Sequence, residues 1–148
     1  MKSKIVLVTG ASGGLGTYVT QAFLEAGATA IVTSRKILQS DFPSAGFTAI
    51  PGEISSRTGA QTIVDGVVAR FGRLDVLAHT VAGFAGGQSV TDTDDATFQR
   101  MLDLNLNSVF HMLRATIPVL RKSSGRIIAI GSRAAVEPGP GVGAYSAS

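Results

Sequence analysis

Apolar residues along this chain come in short runs separated by longer, periodic stretches. Ile5-Val6-Leu7-Val8 is a continuous apolar run with the length and β-branching of a buried strand. Behind it, Leu15, Val19, Ala22, Phe23 and Ala26 recur at the spacing of one helical face. Gly27 stops that helix, and Ala30 to Thr33 read as a second strand. An irregular stretch with Pro43 and Gly46 follows, with a short helix expected near Arg35 to Ser40. Phe47 to Ile50 is a third strand. Ser55 or Ser56 caps a helix in which Ile63, Val67 and Phe71 repeat at i+4, with Val64 and Val68 beside them and Gly72 at its end. Leu74 to Ala78 is a fourth strand. Thr93 or Asp94 opens a long helical region running to Lys122, broken near Asn105 and carrying Pro118, a kink site. Gly125 leads into a fifth strand, Arg126 to Gly131, and a further helix begins near Ala144.

Strands alternating with helices at this rhythm build right-handed βαβ units on a parallel sheet. The pattern predicts an α/β fold: a doubly wound parallel sheet of Rossmann type, strand order 3-2-1-4-5, incomplete at its C-terminal side. A ligand is then expected between the first and fourth strands, at their carboxyl ends. No repeat and no interdomain linker divides residues 1–148, which read as one domain.

Composition narrows the classes. With 45% hydrophobic and 16% charged residues, the chain is globular and not disordered. A net charge of +3 without a basic run, and 6% aromatics, argue against a nucleic-acid partner. The absence of cysteine removes disulfide and thiolate chemistry. The apolar run after Met1-Lys2-Ser3-Lys4 ends by Val8, too short for a signal-peptide core or a membrane span, so a cytoplasmic protein is expected. No second His, Asp or Glu stands at ligand spacing from His79, so no metal is expected.

Candidate chemistry begins at Thr9-Gly10-Ala11-Ser12-Gly13-Gly14-Leu15-Gly16, on the first strand-to-helix turn. Gly10 suits a tight turn, and Gly14 and Gly16 let backbone and ligand come close. Open N–H groups at a helix N-terminus, with the positive end of its dipole, suit a pyrophosphate. A glycine-rich turn without a ligand is the plain alternative.

The T-G-x-x-x-G-x-G spacing resembles the cofactor turn of the short-chain dehydrogenase/reductase family. Four further stretches carry the same resemblance. Leu74-Asp75-Val76-Leu77-Ala78-His79-Thr80-Val81-Ala82-Gly83 is similar to the family's strand ending in Asn-Asn-Ala-Gly, with His79 and Thr80 in place of the asparagines. Asn105 resembles the asparagine that interrupts the family's long helix. Ser132 ends the fifth strand, and Tyr145 follows thirteen residues later in Tyr145-Ser146-Ala147-Ser148, the beginning of a Tyr-x-x-x-Lys signature. The signature lysine is due one residue after Ser148. The resemblance therefore implies an N-terminal part of a longer catalytic domain, a poor catalyst on its own.

The resemblance implies the following roles. Tyr145 is the general acid/base, Ser132 orients the substrate oxygen, and Asn105 holds a water of the proton relay. A phenol with a pKa near ~10 needs a nearby positive charge to work at neutral pH. Gly10, Ser12, Gly13, Gly14, Leu15 and Gly16 would bind the cofactor's phosphates. Glu53-Ile54 resembles the family's Asp-Val beside adenine, and His79 and Tyr145 complete the cofactor contacts. NAD-specific sites place an acid about 20 residues past the glycines. Here that place reads Thr33-Ser34-Arg35-Lys36, with no acid; Arg35 and Lys36 would welcome a 2′-phosphate, hence NADP(H) over NAD(H), and two exposed basic residues are the plain alternative. His79 has a second reading as a strand-end histidine packed against a loop, and Asp75 reads as a structural hydrogen-bonding group.

The expected function is hydride transfer between NADP(H) and a small carbonyl or alcohol substrate, of the 3-oxoacyl-thioester reductase kind. Gly83-Phe84-Ala85-Gly86-Gly87 and Pro138-Gly139-Pro140-Gly141 also look somewhat like dihydropteridine reductases. A non-catalytic dinucleotide-binding module is the alternative from another class. Family members commonly pair through the long helices, here around Met101 to Lys122, which implies a homo-oligomer.

Overall fold

A computed structural model describes residues 1–41 and 46–148. Five parallel strands form one sheet in the order β3-β2-β1-β4-β5: β1 Ile5–Thr9, β2 Thr29–Thr33, β3 Phe47–Ala49, β4 Val76–His79 and β5 Arg126–Ala129. The helices are α1 Gly14–Glu25, α2 Arg57–Phe71, α3 Asp95–Met101, α4 Ser108–Ser123 and α5 Gly143–Ser146. The doubly wound order is the one expected from the βαβ rhythm.

The apolar runs are continuous, yet successive residues face opposite layers, as a strand demands. Leu7, Ile31 and Leu77 pack into a core with Ile63, Val64 and Val67 of α2 and Met112 and Ala115 of α4. Val6, Val8, Ala30, Val32, Val76 and Ala78 form the opposite core, which Val19, Phe23 and Leu24 of α1 cover. Both faces of β1 are therefore dry.

Several boundaries differ from the expected ones. The fourth strand is shifted to Val76–His79, because Leu74 and Asp75 serve as its anchored approach. The Ser123 hydroxyl donates to the Leu74 carbonyl. Asp75 accepts from the Ile5 amide at 2.9 Å and from Arg73 and Lys4, the structural role expected of it. Burial alone would raise this carboxyl, but the hydrogen bonds from Arg73, Ile5 and Lys4 outweigh burial and hold it below the usual carboxylate range. The short helix near Arg35 to Ser40 is instead a 3-10 turn, Gln39–Asp41, and Pro43 lies outside the described residues. Ser56 caps α2 by accepting from the Gly59 amide, and Asp94 caps α3 by accepting from Thr97.

Helix α1 is also rotated relative to the expected face. Leu15 is 49% exposed, while Gly16 and Thr20 are buried. Thr20 can occupy that face because its hydroxyl donates to the Gly16 carbonyl at 2.7 Å. On α2, Val68 is turned outward while Ile63, Val64 and Val67 are buried. The long helical region is one path with a π-helical segment, Leu102–Asn107, joining α3 to α4. That segment contains Asn105, at the expected break.

Strand β5 is shorter than expected, ending at Ala129, and every residue in it is exposed. Ile127, Ile128 and Ile130 stand on this outer edge, with Ile128 45% exposed. A parallel edge with open backbone groups and isoleucines invites pairing with another chain. Residues 1–148 expressed alone should self-associate, and Ile128→Lys should move the protein to a smaller species on size-exclusion chromatography. An unchanged elution volume would place the self-association elsewhere.

Candidate active site

The glycine turn hangs from two neighbouring strands. The Gly10 amide donates to the Thr33 carbonyl of β2 at 2.9 Å, and the Gly13 amide donates back to the Gly10 carbonyl at 2.9 Å. Gly10 has a φ of +71°, the left-handed region in which a side chain is strained. Gly16 has a different task from the one expected of it. A Cβ there would stand 2.1 Å from the Gly10 carbonyl oxygen, so Gly16 is where α1 closes on the end of β1. Gly14 does leave room: nothing lies within 4 Å of a Cβ built on it. Among the described residues, no side chain caps α1 and no acid stands in its first turn. Ser12, Gly13, Gly14 and Leu15 are exposed. Open amides at the positive end of a helix, over a glycine with empty space above it, fit an anionic pyrophosphate. Gly10, Ser12, Gly13, Gly14 and Leu15 would hold it there.

The expected adenosine end lies at the carboxyl ends of β2 and β3. Arg35 is exposed, and the Gly52 amide donates to the Ser34 carbonyl at 3.1 Å. The hydroxyls of Thr33 and Ser34 are buried without a hydrogen-bond partner among the described residues. Unpaired hydroxyls at this strand end fit a polar group arriving from outside the protein. Ile54 is buried, while Glu53 beside it is exposed. The Ser55 amide, donating to Glu53 at 3.0 Å, holds that carboxyl below its ordinary value; Arg35 adds a weaker attraction.

His79 is placed away from this surface. It is 1% exposed at the end of β4, in register with Thr9. Its Nδ1 meets the Thr9 hydroxyl at 2.9 Å and its Nε2 meets the Ser108 hydroxyl of α4 at 3.3 Å. Both ring nitrogens are engaged inside the fold, so the expectation of a cofactor contact through this side chain is corrected in favour of the packed reading. Burial lowers its pKa to about 4.

Asn105 is clamped on the chain leaving β4. Its Oδ1 accepts from the Gly83 amide at 2.7 Å, and its Nδ2 donates to the Gly83 carbonyl at 3.1 Å. The second Nδ2 proton goes to the Ser148 hydroxyl at 2.8 Å, which in turn donates to the Tyr145 carbonyl at 2.9 Å. Asn105 and Tyr145, forty residues apart in sequence, are thus joined through Ser148. Both donors of the Asn105 amide are used, and one lone pair of Oδ1 remains for a water. Asn107 points elsewhere, donating to Asp103 at 2.8 Å. Ser132 caps a 3-10 turn, Arg133–Ala135, accepting from the Ala134 amide at 3.2 Å, and this turn packs against α5. The Tyr145 ring meets the Phe84 ring edge-on at 5.0 Å. Phe84 and Ala144 line a cavity of about 340 Å³ shared with Gln88, Thr97 and Arg100.

Sequence reasoning missed three residues of this arrangement. Thr9, Ser108 and Ser148 are small hydroxyl residues whose partners lie 70, 29 and 43 positions away, and spacing alone carries no signal for such contacts.

The glycine turn and the sheet order define a Rossmann-type, NAD(P)-binding class of protein. The sequence profile of the short chain dehydrogenase family matches residues 4–148, and the chain belongs to that family. L-fucose dehydrogenase of Mus musculus is 31% identical over 134 residues, 87% of this chain and 48% of that protein. The rhamnolipids biosynthesis 3-oxoacyl-(acyl-carrier-protein) reductase of Pseudomonas aeruginosa is 30% identical over 147 residues, 92% of this chain and 57% of that one. The crystal structure of NADH-dependent reductase A1-R′ complexed with NAD superposes with a TM-score of 0.87 at 30% identity, over 99% of this chain and 67% of the other. The chain spans about half the length of the curated relatives it matches. No helix among the described residues is long and apolar enough to cross a membrane.

The two glycines should separate on substitution. Gly16→Ala should lose more than ~2 kcal/mol in denaturant unfolding, since backbone must move. Gly14→Ala should stay within ~1 kcal/mol of wild type while weakening nucleotide binding by titration calorimetry. Equal stability losses would remove the distinction. His79 makes a second expectation. Its folded pKa is lowered, so its contribution is whole above the unfolded value of 6.5 and is lost as pH falls toward about 4. The full change is on the order of 3 kcal/mol. Unfolding curves between these pH values should show the fall, and His79→Leu should flatten it.

Proposed function

We propose that the protein is an oxidoreductase that transfers a hydride between NADP(H) and a small carbonyl or alcohol substrate, of the 3-oxoacyl-thioester reductase kind. The observation that carries this reading is the join between Asn105 and Tyr145 through Ser148. Ser148 takes a hydrogen bond from the Asn105 amide and gives one to the Tyr145 main-chain carbonyl, which supports bringing the expected relay residue and the residue that bears the expected acid/base to one place. Bound over the glycine turn, the nicotinamide cofactor supplies the hydride. The chain's own residues manage the rest. The Tyr145 hydroxyl, without a hydrogen-bond partner among the described residues, gives or takes the proton at the substrate oxygen. Ser132 orients that oxygen from the turn after β5. Asn105 keeps the relay water on its remaining Oδ1 lone pair.

The preference for NADP(H) rests on Arg35, exposed at the end of β2 where NAD-specific sites hold an acid. A guanidinium there pairs with a 2′-phosphate. The protein works as a homo-oligomer that pairs through the region around Met101 to Lys122, a reading supported by Leu106 and Phe110, both more than half exposed.

Turnover of NADPH with a carbonyl substrate by the whole protein tests the reading. Tyr145→Phe should lose nearly all turnover and still bind cofactor. Arg35→Asp should reverse the preference, binding NADH more tightly than NADPH. Wild-type rates in Tyr145→Phe would remove Tyr145 as the acid/base, and no turnover by the whole wild-type protein would leave only a dinucleotide-binding module. Equal cofactor affinities in wild type and Arg35→Asp would remove the NADP(H) assignment.

A further inference from the structure

His79 stands between two hydroxyls on different elements, and the protons around it can be counted. Ser108 has one hydroxyl proton, and it goes to the Leu104 carbonyl at 2.6 Å. Toward His79 Nε2, Ser108 Oγ can therefore only accept. The Nε2 atom must carry the ring proton. The neutral ring then has a bare Nδ1, which accepts from the Thr9 hydroxyl at 2.9 Å. The chain of hydrogen bonds runs in one direction, from Thr9 through His79 and Ser108 to the Leu104 carbonyl. It starts at the last residue of β1, next to Gly10, and ends inside the π-helical segment, next to Asn105.

The π-helical segment and the first residue of α4 are held to the end of β4 and the chain leaving it at two points. Asn105 is paired with Gly83, and Ser108 is paired with His79. Gly83 lies close against the segment: a Cβ there would be 2.6 Å from Leu104 Cδ1. A π turn lacks the regular i→i−4 ladder that would otherwise fix its side chains. Two attachments three residues apart replace it.

We propose that His79 is a positioning residue for Asn105, acting through Ser108 along this one-directional hydrogen-bond chain. The functional consequence rests on the oxidoreductase reading of Asn105; the positional one does not. An imidazole suits the place because it offers a donor and an acceptor on opposite sides of a rigid ring. Each hydroxyl neighbour is reached without a water.

Histidine-ring spectra of the ¹⁵N-labelled whole protein test the direction first. The chain has two histidines, and a His111→Gln variant assigns the remaining ring to His79. The Nε2–H tautomer pattern at neutral pH is expected, and an Nδ1–H pattern overturns the proposal. The Gly83 amide signal then reports the place of Asn105 without any turnover. It should shift in both His79→Leu and Ser108→Ala, and an unmoved signal in folded Ser108→Ala overturns the proposal.

Kinetics give the third arm. His79→Leu and Ser108→Ala should each lower kcat about tenfold, with cofactor KM changed less than about twofold. The double variant should be no slower than the slower single one, because both break one chain. His79→Gln, whose side-chain amide can donate to Ser108, should recover most of the loss. Multiplied losses in the double variant, or lowered stability at unchanged kcat, would make His79 a structural residue only. If wild type turns over no carbonyl, the oxidoreductase reading falls and the ring and Gly83 spectra decide the positioning on their own.

Discussion

The approach of α1 to the end of β1 is the contact on which the carboxyl edge of this sheet depends. Helix and strand meet where Gly16 faces the Gly10 carbonyl, at a distance that leaves no room for a Cβ. That closeness turns the first amides of α1 toward open space above Gly14. It also sets the path of the turn, which β2 holds through the Thr33 carbonyl. A wider gap would leave the same glycines on a floppy loop. An anion-binding helix N-terminus needs its amides aimed together, and the tight packing aims them.

The two ends of the sheet handle polar groups in different ways. At the amino ends, a carboxylate takes charge: Asp75 gathers Lys4, Arg73 and the Ile5 amide, and all three lower its pKa. At the carboxyl ends, the buried groups are neutral. Thr9, His79 and Ser108 satisfy one another, and the Thr80 hydroxyl closes on the Thr9 carbonyl at 2.6 Å. A neutral network there leaves the electrostatics of the candidate site to the helix dipole and to Arg35. An ion pair in the same place would compete with both.

The candidate catalytic groups come from three different elements. Asn105 belongs to the π-helical segment, Ser132 to the turn after β5, and Tyr145 to α5. The chain leaving β4 touches two of them. Gly83 pairs with Asn105, and Phe84, the next residue, packs its ring on Tyr145. The loop after β4 thereby lies between the π-helical segment that bears Asn105 and the helix that bears Tyr145. Its glycines keep it thin, since a side chain at Gly83 would collide with Leu104.

Sheet order, strand number and the glycine turn were legible in the sequence, because each follows from local periods: apolar runs, helical spacing, and glycines between them. Asn105 was legible as a break, since a polar residue interrupts an otherwise helical pattern there. The orientation of α1 was not legible. Leu15 has the hydrophobicity and spacing of a buried residue, yet Gly16 takes the inner position because only a hydrogen atom fits against the Gly10 carbonyl. His79 was open to two readings, because its neighbours in sequence do not reveal Thr9 or Ser108. Its partners come from register across β1 and from the helix that crosses behind β4. Local composition determined which elements form and where they turn. Only the tertiary structure decided which polar side chains face each other, because hydrogen-bond partners are chosen by distance in space and not by distance along the chain.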